Sequence, residues 1–303
     1  MKFSKAVIAA VLIIATFALS HFARSWFNGE KQVQAVQPRA ESRIVSMAPS
    51  SCEVLYAIGL GDSVVGVSRF TTYPPEAVEK PKVGGYLDVD IEALVRLQPD
   101  VVVLLKEQQS LAQQLEGMGI RSVFVDHMSV GGVLNSISNL GDTFGVADEA
   151  DKVRAALQKR ISRVEQQADK QESRTALLSI GREFGHGKVN SLVAAGAAGY
   201  HQELLEYAGL ENAYAGKENF PQLTREHLIT LNPEIIIDMV NSKEAAAIGV
   251  EKILADWTVH TELQAVRNGA VYVLVGDKHF VPGPRFIDTL EWINNVAHSS
   301  DGE

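Results

Sequence analysis

Two glutamates stand at matching places in the sequence. Glu92 in IEALVRLQPDVVVLL (residues 91–105) and Glu226 in REHLITLNPEIIIDM (residues 225–239) each precede a proline, Pro99 and Pro233, by seven residues. Leucines recur between them, a β-branched run follows, and an aromatic residue, Tyr86 or Phe220, stands six positions ahead. A carboxylate pairs most strongly and directionally with a guanidinium, so two equivalent carboxylates on related lobes suit a partner that is itself two-fold. The plainer role is that each glutamate favours its own helix N-terminus through the dipole. A second set of residues suits a ligand. Arg69, Phe70, Tyr86, Lys106, Arg182, Phe220, Lys278, Phe280 and Arg285 fall in loops that follow strands or precede the second glutamate helix. Such loops gather where doubly wound sheets bind ligands. Aromatic rings grip large flat ligands and cations favour anionic ones.

Catalytic patterns are missing. The chain has no Gly-x-Ser-x-Gly, no His-Glu-x-x-His and no Cys-x-x-Cys; GREFGHGKV (residues 181–189) approaches a phosphate loop but has the wrong glycine spacing, and Val189 where Ser or Thr must hold magnesium. His127, His186, His201 and His279 are scattered singly without ligand spacing and read as surface or loop residues. Cys52, the sole cysteine, reads as a small buried residue near a helix start and allows no intramolecular disulfide. The expectation is a non-enzyme without cofactor or resident metal.

Alternating strands and helices must position these loops. RIVSM, VVGV, VVVLL and VFVD read as strands of a first lobe, and ALLSI, IIIDM and VYVLV as strands of a second, which predicts parallel sheets flanked by helices. The repeat extends to Glu53, six residues before Gly59, and Glu203, six before Gly209. Between the lobes, residues 148–172 lack Gly and Pro and place Val153, Leu157, Ile161, Val164 and Ala168 on one face. One amphipathic helix of roughly 35 Å can tie two lobes side by side. The predicted organisation is a lobe over 43–147, the linking helix over 148–172, a lobe over 173–298 and a tail over 299–303.

The ends and the charge bound the setting. Lys2 and Lys5 precede an apolar run from Ala6 to Leu19, the form of an export signal over residues 1–23; a second reading keeps residues 6–23 as an uncleaved membrane tether. Residues 24–42 read as a polar tether, and no cysteine follows the apolar run to carry a lipid. The chain has 303 residues and a net charge of −9 without a basic cluster, which argues against nucleic acid. A monomer outside the cytoplasm is expected.

RIVSMAPSSCEVLYAIGLGDSVVGV, TTYPPEAVEKPKVGGYLDVDIEALVRLQPDVVVL, FPQLTREHLITLNPEIII and PGPRFIDTLE together resemble the iron-complex and vitamin B12 family of periplasmic solute-binding proteins, over nearly all of residues 43–298. The resemblance implies the class III periplasmic-binding-protein fold, two Rossmann-like α/β lobes joined by a single long helix. It also implies capture of a metal chelate between the lobes and delivery to an ABC importer. In such proteins each lobe offers an acidic residue to arginines of a permease dimer, the role that falls to Glu92 and Glu226. Cobalamin-binding relatives commonly carry Trp in the pocket, where this chain has Phe70, Tyr86, Leu105 and Phe220. The many cations lean toward a ferric siderophore, with haem and cobalamin as alternatives. A free-metal-ion binder, a chelatase-like enzyme and a membrane-tethered sensor are the readings from other classes.

Overall fold

The β-branched runs are the buried strands of two sheets. The computed structural model describes residues 42–170 and 172–298; the export signal, the tether as far as residue 41 and the tail 299–303 lie outside the described residues. In chain order the first lobe comprises β1 (Ile44–Ser46), α1 (Pro49–Ala57), β2 (Val64–Val67), α2 (Ile91–Arg96), β3 (Val101–Leu105), α3 (Gln109–Gly117), β4 (Arg121–Val125) and α4 (Val130–Phe144). Helix α5 (Ala147–Ala168) follows. The second lobe has β5 (Arg174–Arg182), β6 (Ser191–Ala194), α6 (Tyr200–Tyr207), β7 (Leu210–Asn212), β8 (Gln222–Thr224), α7 (Arg225–Leu231), β9 (Ile235–Val240), α8 (Ser242–Ile248), α9 (Val250–Thr258), β10 (Val271–Val275) and α10 (Phe286–His298).

The first sheet is parallel in the order β2-β1-β3-β4. The second repeats that order as β7-β5-β9-β10, also parallel. Its long first strand divides its edge: Arg174–Ala176 pairs with β7, while Ser179–Arg182 pairs with β6, which with β8 adds an antiparallel extension absent from the first lobe. The repeat holds even at single dihedrals. Among the described residues the non-glycines with positive φ are Gln98 (47°) and Asn232 (41°), each the residue before the proline that separates the glutamate helix from its strand.

Helix α5 carries its predicted stripe inward, with Leu157, Ile161, Val164 and Ala168 buried, in a core continuous through both lobes. It crosses α4 closely: a Cβ on Gly141 would lie 2.4 Å from that of Ala150, so only glycine admits this contact. It is pinned to α10 by Arg160, which pairs with Asp288 at 2.9 Å and Glu291 at 2.6 Å, and by Gln167, which accepts from Asn294 at 2.9 Å.

Candidate ligand-binding cleft

The C-terminal ends of the first lobe's strands open into a cavity of about 270 Å³, closed on the far side by Phe280, Val281 and Pro282 of the second lobe. The wall is chiefly apolar: Met47 follows β1, Phe70 follows β2, Leu105 ends β3 and Met128 follows β4, with Tyr86 in the turn ahead of α2. Phe70 is 59% exposed, with the Arg69 guanidinium over its ring at 5.7 Å, and Tyr86 is 40% exposed, so both rings are accessible. Polar groups are few, Ser50, Ser68, Glu107 and His127, and among the described residues no lysine or arginine lines the cavity.

The predicted cations are engaged elsewhere. Arg69 pairs with Asp88, Lys106 with Asp126 at 2.7 Å and Lys278 with Asp288 at 3.1 Å. Arg182, expected at the ligand, is fully buried within the second lobe. It holds Asp238 and Asp256, each at 2.8 Å, donates to the Ile253 carbonyl at 2.9 Å, and stacks near Phe184 and Trp257. Arg182 directly ends β5, but its side chain turns inward onto two carboxylates that would otherwise be buried uncompensated. The same network explains the near-miss phosphate loop. Gly185 and Gly187, at φ of 78° and 75°, donate their amides to Asp256, at 2.7 and 2.6 Å, so a protein carboxylate takes the place of an anion. Phe220 lies outside the cavity, edge-on to His201 at 6.4 Å.

Arg285 serves the lobe interface. It donates twice to Glu53, at 2.5 and 3.0 Å, and its guanidinium stacks on Tyr73 at 3.8 Å. Glu203, the repeat equivalent of Glu53, accepts from the Val130 amide at 2.6 Å. Arg285 immediately precedes α10 and Val130 begins α4, so each glutamate reaches the start of the other lobe's last helix. Glu53→Ala is expected to destabilise the chain by about 2 kcal/mol in urea unfolding, because Arg285 loses its partner while still three-quarters covered. A loss below about 0.5 kcal/mol would show that the contact carries no stability.

Glu92 and Glu226 are exposed on the short helices α2 and α7. Glu92, 84% exposed, pairs with Arg96 one turn on; Glu226 accepts from the Thr224 hydroxyl at 2.7 Å, which holds its carboxyl below the usual value. Neither touches the cavity lining.

The family description "periplasmic binding protein" matches residues 44–277. The chain belongs to that family. It is 30% identical over 257 residues to the ABC transporter substrate-binding lipoprotein YvrC of Bacillus subtilis (strain 168), covering 82% of this chain and 77% of that one. It is 28% identical over 249 residues to the vitamin B12-binding protein of Vibrio parahaemolyticus, covering 82% and 86%. In fold it is similar to the periplasmic vitamin B12 binding protein BtuF of Vibrio cholerae, with a TM-score of 0.72, 23% identity, and coverage of 84% and 96%. The two-lobed α/β architecture with its linking helix is thus that of a class III periplasmic binding protein. Among the described residues no helix is long and apolar enough to cross a membrane.

Of the residues expected at the ligand, the cavity brings together Phe70, Tyr86 and Phe280, and it adds Met47, Ser50, His127 and Met128, which the sequence did not single out for a ligand. Position was the available signal, since His127 and Met128 follow β4 directly, as Arg69 and Phe70 follow the end of β2. A larger hollow of about 1260 Å³ lies between α5 and α6, but Glu165, Asp169, Glu203, Glu206 and Glu211 line it, with no cation among the described residues, and it stands apart from the strand ends of the first lobe. Its charge repels an anionic chelate. Burial pushes the Cys52 thiol up to about 12, so it stays protonated and serves as core.

Proposed function

We propose that this periplasmic binding protein captures a metal chelate in the cleft between its lobes and delivers it to the permease dimer of an ABC importer, and that the chelate is an uncharged macrocycle of the corrinoid class. The observation that carries the choice is the character of the ligand wall: it is aromatic and aliphatic, its one charged side chain among the described residues is Glu107, and the nearby cations already hold carboxylates. An anionic ferric siderophore or a haem with two carboxylates would bury negative charge beside Glu107 without compensation. A neutral amide-bearing ring stacks on Phe70 and Tyr86 at no such cost. The names of the vitamin B12-binding relatives point the same way. The chain acts as a monomer and leaves its ligand chemically unchanged.

Calorimetric titration with cyanocobalamin, haemin and a ferric hydroxamate tests the reading. Cyanocobalamin is expected to bind one per chain and more tightly than either anionic chelate. Arg69→Ala and Lys106→Ala are expected to change its affinity less than about threefold, as exposed paired charges contribute little. Phe70→Ala is expected to weaken it about tenfold through lost stacking area. Preference for the ferric hydroxamate, together with sensitivity to Arg69→Ala, would restore the anionic reading.

A further inference from the structure

One group in the cleft wall has an incomplete set of hydrogen bonds. His127 is only 6% exposed; its Nδ1 lies 2.6 Å from the Ser50 Oγ, and its Nε2 is buried without a partner. Ser50, in the first turn of α1, is 4% exposed, and its hydroxyl has no second partner among the described residues. Both residues line the cavity. The ring proton can be placed by counting. If the Ser50 hydroxyl donates to Nδ1, the hydroxyl is satisfied and the proton sits on Nε2, leaving one unmet donor. If Nδ1–H donates to Ser50, both the hydroxyl proton and the Nε2 lone pair go unmet. The first arrangement leaves fewer buried groups unpaired. Burial holds the imidazole down to about 4, so the ring is uncharged at neutral pH.

We infer that His127 is the specificity-setting polar contact of the cleft: its Nε2–H donates to a neutral acceptor oxygen on the ligand's periphery, an amide carbonyl, with Ser50 fixing the tautomer. This rests on the chelate reading above. The cavity, at about 270 Å³, is below the usual size of a site for a large ligand, so admitting a macrocycle parts the walls and uncovers the ring. An uncharged donor in an apolar wall suits an uncharged acceptor, because a carboxylate there would be buried without a counter-ion. Two polar groups then select an amide-substituted macrocycle from a carboxylate-bearing one on a surface that aromatic contact alone would leave unselective.

The test combines nitrogen NMR of the histidine rings with calorimetry on the whole chain, using cyanocobalamin and haemin as probes. Wild type is expected to show the Nε2–H tautomer at His127, and Ser50→Ala to blur it. His127→Phe, which keeps ring volume without the donor, is expected to weaken cyanocobalamin at least tenfold, and His127→Gln, which keeps an N–H, less than threefold. Melting temperatures of the variants report folding, and Ser50→Ala carries the test through the tautomer and an intermediate affinity loss where a ring substitution fails to fold. An Nδ1–H tautomer in wild type, or a His127→Phe variant that binds as wild type does, overturns the inference while the chelate reading stands. Loss of haemin rather than cyanocobalamin binding in His127→Phe overturns the neutral acceptor. Failure of wild type to bind either probe removes the chelate reading and this inference with it.

Discussion

Arg182→Ala is expected to lower the stability of the chain by about 3–5 kcal/mol, the usual penalty for stranding buried charge, and to leave the ligand cleft without a direct change. The guanidinium is wholly covered and serves Asp238, Asp256 and the Ile253 carbonyl together. Its removal leaves Asp238 with the Trp257 indole N–H at 2.9 Å and Asp256 with two glycine amides, in surroundings that water does not reach. A drop in the urea midpoint at unchanged slope would report the loss as stability alone. A change below about 1 kcal/mol would mean that the two carboxylates find other partners or water at little cost. Acid acts on the same network. Burial pushes the Asp256 carboxyl up, but bonds from Arg182, Gly185 and Gly187 more than offset it and hold it below its usual value. A carboxyl depressed in the folded state contributes stability that is complete above the unfolded value, near 4, and is lost as pH falls through the lower folded value. Asp288 and Glu291, both held low with Arg160 as partner, add to that loss. His127, His201 and His279, each held down to about 4 by burial, oppose folding once pH drops below the unfolded histidine value near 6.5, so unfolding free energy is expected to fall from about pH 6.5 downward and the carboxylates to continue the loss below about pH 4. A steady rise in stability into acid would contradict it.

The sequence was most informative where a pattern repeats. The helix–proline–strand unit is legible because its apolar spacing and its proline constrain the backbone locally, and Gln98 and Asn232 share even their rare dihedral. The linking helix is legible for the same reason: its stripe lies within one uninterrupted segment. Side-chain destinations were less so. Arg182, Lys278 and Arg285 all follow strands or open a helix, as ligand cations do, and nothing local to them announces Asp256, Asp288 or Glu53, which the fold supplies from 74, 10 and 232 residues away. His127 was hidden in the opposite way. A lone histidine in a loop has no spacing to mark it, and its importance arises only when α1 brings Ser50 against it. Strand β6, in a segment rich in alanine, pairs with a stretch of β5 that no periodicity distinguishes from the rest of that strand. Local pattern thus sets the elements, whereas charge pairing between distant segments decides which side chains are left free for a ligand.

Replacing both Glu92 and Glu226 by Ala is expected to reduce cellular uptake of the chelate more than tenfold while its affinity for the purified protein changes less than about twofold. The two residues occupy equivalent positions in the repeated unit, are exposed, and stand clear of the cavity lining, so removing them touches neither the core nor the ligand. Their present partners are weak. The Glu92 pair with Arg96 is an exposed contact between successive helical turns, of about 0.3–0.5 kcal/mol, and a permease guanidinium can displace it. Glu226 leans on the Thr224 hydroxyl, a neutral donor that leaves carboxylate capacity unused. The expected size follows from the proposal that each carboxylate docks against a permease cation: losing one would strand that cation at about 2 kcal/mol or more, and the two sites together would exceed a tenfold effect. Each single substitution is expected to fall between wild type and the double variant, and Glu→Lys at either position below the corresponding Ala, since like charges then meet. The helices themselves lose only about 0.3–1 kcal/mol from the missing charge near their first turns, so folding does not account for the uptake defect. The comparison to make is uptake against binding in the same five variants. Normal uptake by the double Ala variant would reduce both glutamates to local helix stabilisers, and loss of chelate binding would place them at the ligand.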